Sequence, residues 1–177
     1  MNEIRIYYEG DPALKPGFHA FFDELRVKAR EKRLGLRLIA AEGKPDRDFA
    51  IAKRNHPTAW NILLKDSEGP LPANRDDSIF WMVETMESWF HADKDKLAEF
   101  YGAEFQVSAL KANPKVEEIP KRDLVNGLKA ATRNTNKGAY HKTAHAPKLL
   151  ESIRPDLVRM AAPNCERLFE AVLARLA

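Results

Sequence analysis

Two short acidic motifs carry the side chains best suited to chemistry, Glu9-Gly10-Asp11-Pro12 and Asp66-Ser67-Glu68-Gly69-Pro70. Hard divalent cations such as Mg²⁺ or Mn²⁺ take carboxylate oxygens and keep several waters, so two or three protein carboxylates suffice to hold one. Asp66 and Glu68 stand two residues apart where Gly69-Pro70 bends the chain, so both can reach one ion, and Glu9 can supply a third oxygen. An ion held this way orients and polarises a phosphate and activates a water, the usual chemistry of phosphodiester cleavage. Glu87 and Asp93 are candidate ligands for a second ion, although Glu87 on a helix reads equally as a surface carboxylate. The competing reading of the cluster is that exposed loop ends are rich in Asp and Glu in any protein.

A second set is basic. From Lys121 to Lys148 the chain has 7 basic residues against Asp123 alone, whereas Asp66 to Glu104 has 10 acidic residues and 3 basic ones. A chain divided this way can hold a cation with one part and an anion with the other; the alternative is two solvated surfaces. Lys142, His141 and His145 can hold phosphate oxygens or stabilise charge that develops as a bond breaks. Lys121, Arg122, Lys129, Arg133 and Lys137 can track a nucleic-acid backbone without reading its sequence. His141 and His145 read equally as loop histidines with ordinary hydrogen bonds, and Tyr140 as a packing residue.

The elements that must position these groups are legible in the first third of the chain. Ile4, Ile6 and Tyr8 alternate with Arg5 and Tyr7 as on a strand, and Gly10 and Pro12 break it. Phe18, Phe21, Phe22, Leu25 and Ala29 follow at helical spacing between Pro16 and Arg33, with Gly35 as a stop. Leu36–Ala41 is a second strand, Arg47–Asn55 a short helix and Trp60–Leu64 a third strand. Strands alternating with helices imply an α/β fold with a mainly parallel sheet flanked by helices, and such folds bind ligands beyond the carboxyl ends of their strands. Glu9, Asp66 and Glu68 all fall at that edge.

The second half reads as mainly helical. Met82, Val83, Met86, Trp89 and Phe90 form an apolar stripe that leaves Glu84, Glu87 and His91 on the other side. Helices are predicted over Lys94–Tyr101, Arg122–Thr132 and Cys165–Leu176, the last with Asn164 as N-cap. Residues 134–147 read as a loop or a strand with flexible flanks.

Length and composition narrow the class. The 177 residues, 44% hydrophobic and 31% charged, suit one globular domain, with a strand-and-helix catalytic core over residues 1–70 and a mainly helical completion over 80–177 that contains the basic segment 121–148. No apolar run approaches the roughly 20 residues that cross a bilayer, so no membrane partner is expected. The single cysteine, Cys165, excludes internal disulfides and cysteine-rich zinc sites. With no signal-like start, a cytoplasmic location is expected. A phosphate-binding Gly-x-x-x-x-Gly-Lys-Ser/Thr loop, a Gly-x-Ser-x-Gly elbow and a His-Glu-x-x-His helix are all missing, which argues against an ATPase of that kind, a serine hydrolase and a zinc protease.

Tyr8-Glu9-Gly10-Asp11 after a first strand, with Asp66-Ser67-Glu68 after a later one, resembles the Toprim catalytic pattern of topoisomerases, primases and overcoming-lysogenisation-defect nucleases. The resemblance is closer to a group of small Toprim-like proteins often encoded beside ATPases of the ABC or AAA type. Residues 82–93, Glu118-Ile119-Pro120-Lys121 and Tyr140-His141-Lys142 carry that resemblance over most of the chain. It implies a Toprim-like fold and a Mg²⁺-dependent nuclease site with Glu9 and Asp66 as ligands. It also implies an ATPase partner and a role in defence against foreign nucleic acid. Toprim domains usually carry Asp-x-Asp, and the longer arm of Glu68 changes that geometry here.

Two other classes compete. A non-catalytic docking subunit would use the apolar C-terminal helix, through Leu168 and Phe169, to meet an ATPase partner. A response-regulator receiver would use Asp66 as phosphoacceptor; the long helical half and the Asp66-Ser67-Glu68 spacing disfavour it.

Overall fold

The computed structural model describes residues 2–73 and 76–177. Four strands, β1 (Glu3–Glu9), β2 (Gly35–Ala41), β3 (Trp60–Asp66) and β4 (Ile79–Met82), form one sheet in the order β2-β1-β3-β4. Every neighbouring pair is parallel: Glu3 stands opposite Gly35 and Glu9 opposite Ala41, Tyr8 opposite Leu64, and Asp66 opposite Met82. The expected α/β architecture is therefore present, and β1 and β3 lie side by side at its centre.

The period-two alternation of the strands sorts side chains onto two unequal faces. Ile4, Ile6, Tyr8, Ile62, Leu64, Phe80 and Met82 enter the main core. Tyr7 and Leu63 point the other way, onto Phe49 and Ala52 of α3 (Pro45–Asn55), in a much smaller cluster. The main core is covered first by α1 (Lys15–Phe21) and α2 (Asp23–Glu31). Sequence spacing predicts one helix over residues 16–33; the chain instead breaks at Phe22 (φ −97°, ψ 20°). The break lets adjacent Phe21 and Phe22 both bury, Phe21 stacking on Trp89 at 4.7 Å between ring centroids and Phe22 lying 5.6 Å from Phe169.

The second half departs further from its sequence pattern. The stripe from Met82 to Phe90 is two elements: β4 ends at Met82, and α4 begins at Glu87 and runs to Ala92. Because α4 packs against neighbours on several sides, Glu87 and His91 are buried with Trp89 and Phe90 rather than facing solvent. The helices α5 (Lys94–Tyr101) and α6 (Lys121–Thr132) follow as expected. Residues 142–147, read from sequence as loop or strand, open α7 (Lys142–Ser152), which contains Pro147. An internal proline removes one helical hydrogen bond and normally marks a stop. Close packing on α1 overrides it: a Cβ on Gly17 would lie 2.8 Å from the Pro147 carbonyl oxygen and 2.9 Å from Leu150 Cβ. Gly17→Ala is therefore expected to destabilise the fold by about 1–3 kcal/mol, through overpacking of backbone against backbone, as read by urea denaturation; an unchanged midpoint would show that α7 yields freely.

The chain ends in α8 (Pro155–Ala161) and α9 (Pro163–Leu176). Ala162, not Asn164, is the N-cap of α9, and the Asn164 side chain instead donates to Glu117 Oε2 at 2.7 Å. Leu168 and Phe169 are fully buried against the rest of the fold, so they offer no surface to a docking partner. Among the described residues no helix is long and apolar enough to cross a membrane.

Candidate active site

Glu9 is the last residue of β1 and Asp66 the last of β3, so the sheet itself brings them to one edge. Glu9 Oε2 accepts the Asp66 backbone N–H at 3.0 Å, which fixes the glutamate side chain across the strand ends. Gly10 follows Glu9 with φ +140°, and a Cβ there would lie 2.6 Å from Leu14 Cδ1, so the turn after β1 requires glycine. Glu9, Asp11, Glu42, Asp66 and Glu68 line a cavity of about 360 Å³ in which, among the described residues, Lys142 is the one basic residue.

Asp66 is 8% exposed. Its Oδ1 accepts the Met86 N–H at 2.9 Å, and its Oδ2 lies 3.2 Å from the Thr85 hydroxyl and 3.6 Å from Lys142 Nζ. Burial pushes its pKa up from 3.8 to about 6; the Lys142 charge opposes this, and the negative charges of Glu87 and Glu9 add to it. Glu87, 2% exposed, is held by two hydroxyls, Thr85 donating to Oε2 at 2.5 Å and Tyr140 donating to Oε1 at 2.8 Å. Lys142 Nζ lies 3.9 Å from the same Oε2. Burial first, and the Glu87 charge second, hold the Tyr140 phenol protonated far above its ordinary range. Thr85 and Tyr140 thus tie two carboxylates from different elements into one rigid network.

The basic side chains stand beside this network. Thr85, Glu87, Lys121, Lys129, Tyr140, His141 and Lys142 line a second cavity of about 290 Å³, and Lys142 borders both cavities. Glu68 adopts φ +58°, in the left-handed region, and turns its carboxylate to an ion pair with Lys121 Nζ. The Lys121 backbone N–H donates to Glu84 Oε2 at 2.7 Å, locking the start of α6 to the segment after β4.

Of the residues singled out in the sequence, Glu9, Asp66, Glu68, Glu87, Lys121, Lys129, His141 and Lys142 come together here. Asp93 does not: it is fully buried, N-caps α5, and takes three hydrogen bonds from Arg154 at 2.7–3.0 Å. Arg122, Arg133 and Lys137 lie outside both cavities, Lys137 resting over the Phe100 ring. His145 is bonded internally, its Nδ1 accepting the His141 N–H at 3.2 Å beside the Tyr101 hydroxyl at 3.0 Å. Glu84, Thr85, Glu42 and the hydroxyl of Tyr140 take their roles from contacts across the fold, although Glu84, Thr85 and Tyr140 lie in segments that carry the family resemblance and Glu42-Gly43 stands just after β2.

The donor chemistry fits a hard divalent cation. All the acidic groups offer oxygen, and Glu9 and Asp66 with hydrating water would be enough to hold one. As they stand, no three His, Cys, Asp or Glu side chains among the described residues converge on one point, because Glu68 turns to Lys121 and Glu87 to Tyr140 and Thr85.

The fold is similar to the C-terminal region of the Burkholderia pseudomallei OLD protein, with a TM-score of 0.51 over 98% of each chain at 12% sequence identity. At that identity the likeness is one of fold. No curated protein matches the chain. Residues 14–173 match the family described as a domain of unknown function, DUF4276. That match spans nearly the whole sequence, and the chain belongs to the DUF4276 family.

Proposed function

We propose that this protein is a Toprim-like nuclease that hydrolyses phosphodiester bonds in DNA or RNA with Mg²⁺ or Mn²⁺ bound at Glu9 and Asp66. The observation that carries the reading is that Glu9 and Asp66, 57 residues apart in sequence, line one cavity at the carboxyl edge of the sheet, with Glu9 Oε2 accepting the Asp66 backbone N–H. The fold likeness to a region of an OLD protein supports it, since overcoming-lysogenisation-defect nucleases carry the Toprim pattern that residues 8–11 and 66–68 resemble.

The bound ion would polarise the phosphate and lower the pKa of a water. The remaining work falls to the chain. Lys142 neutralises a non-bridging phosphate oxygen, Lys121, Lys129 and His141 line the path of the backbone, and Thr85 and Tyr140 keep the Glu87 carboxylate fixed behind Lys142. Glu68, now paired with Lys121, would supply a further oxygen to the ion if released from that pair. An ABC- or AAA-type ATPase partner and a role in defence against foreign nucleic acid complete the proposal, on the resemblance alone.

The test is cleavage of duplex DNA, single-stranded DNA and transfer RNA in Mn²⁺, with and without an ATPase encoded beside this protein. Glu9→Ala is expected to lower any cleavage by a factor of roughly 100 or more. Cleavage that persists undiminished in that variant would remove Glu9, and with it the proposed site.

A further inference from the structure

The geometry points to Lys142 as a resident counter-cation that binding of nucleic acid displaces, so that the phosphate backbone and the divalent ion bind cooperatively. This rests on the reading of the site as a divalent-cation centre and goes beyond it to how the site is switched on.

Three observations carry the inference. Lys142 Nζ lies 3.6 Å from Asp66 Oδ2 and 3.9 Å from Glu87 Oε2, between two carboxylates on different elements, where a cation is wanted. Its side chain is 51% exposed and borders both the acidic cavity and the basic one, so a flexible four-carbon arm can turn from one to the other without repacking. It is also the first residue of α7, whose first turn holds no acidic side chain. A positive charge at a helix N-terminus opposes the macrodipole, so the lysine does nothing for its own helix. Lys121, which lines the same basic cavity, repeats the arrangement, its ammonium paired with Glu68.

While each ammonium sits on a carboxylate, that carboxylate is partly neutralised toward a divalent ion. A nucleic-acid backbone entering the basic cavity offers both lysines a row of singly charged phosphodiesters as partners. As they turn to it, Asp66 and Glu68 are released to the ion. Linkage makes the effect reciprocal: whatever factor the nucleic acid adds to metal affinity, the metal adds to nucleic-acid affinity. The free protein would then hold its metal weakly and gain it at the substrate.

The experiment measures Mn²⁺ uptake by electron paramagnetic resonance on the full chain, alone and with a phosphorothioate oligothymidylate, against an oligonucleotide-only blank. In the wild type, Mn²⁺ affinity is expected to rise about tenfold when the oligonucleotide is present. Lys142→Met is expected to bind Mn²⁺ about tenfold more tightly than wild type without oligonucleotide and to lose most of the enhancement, while Lys142→Arg keeps wild-type behaviour. Equal Mn²⁺ affinity in wild type and Lys142→Met overturns the counter-cation role and leaves the nuclease reading standing. Failure of both to take up Mn²⁺ under any condition overturns the metal centre and this inference together.

Discussion

In an Asp66→Asn variant, Mn²⁺-dependent cleavage is expected to fall by roughly 10³-fold while the metal-free protein becomes more stable at pH 7.5. Both effects come from one carboxylate. Asp66 is buried at the end of β3, and burial raises its pKa from 3.8 to about 6. Below about pH 4 the folded and unfolded chains are both protonated at this position and no penalty exists. Between pH 4 and 6 the unfolded chain ionises first, so stability falls as pH rises. Above pH 6 the folded chain carries the buried charge, at a cost of roughly 3 kcal/mol. Asparagine keeps an acceptor for the Met86 N–H and removes the charge. Thermal melts in a chelator should show wild-type stability declining from pH 5 to pH 7.5 and a flatter profile for the variant. A variant less stable than wild type at pH 7.5 would mean that the Lys142 pair outweighs burial.

The second large effect lies at the residue whose type suggested a ligand and whose surroundings make it structural. Asp93→Ala is expected to destabilise the protein by roughly 3 kcal/mol and to leave Mn²⁺ uptake unchanged. Asp93 caps α5 through the Lys96 N–H at 3.2 Å and accepts the Arg154 backbone N–H at 2.8 Å, so its loss strands two backbone donors as well as the Arg154 side chain. Burial alone would raise its pKa, but the bonds from Arg154 and Lys96 outweigh that and hold it below 3.8. Its contribution is therefore present above the unfolded value and fades as pH falls through the folded one. Urea denaturation at neutral pH reads the loss, and a variant that lost metal uptake while keeping its stability would restore the ligand role.

These two aspartates show where the sequence is and is not readable. β1 announces itself through alternation, and β2 and β3 as short apolar runs between turn residues, and the carboxyl ends of β1 and β3 deliver Glu9 and Asp66 to one edge by topology alone. β4 is hidden because Phe80, Trp81 and Met82 run straight into the apolar residues of α4, and spacing cannot show where strand gives way to helix. The start of α7 is hidden because Pro147, a stop in isolation, is outweighed by packing on Gly17. Asp93 and Glu87 look alike in the sequence. One is claimed by Arg154, 61 residues away, and the other by Tyr140, 53 residues away. No local pattern records either choice.

The unequal cladding of the sheet has a consequence for how the molecule loosens. Among the described residues α3 alone covers one side, through Phe49 and Ala52 against Tyr7 and Leu63, whereas the other side joins nearly every remaining element. The first excursion from the native state is thus expected to be a peeling of that one helix, which costs only a small part of the buried surface. Glu9 and Asp66 end the paired strands β1 and β3 and are bonded to each other rather than to α3. The acidic rim is thus expected to outlast the fraying of the thin side.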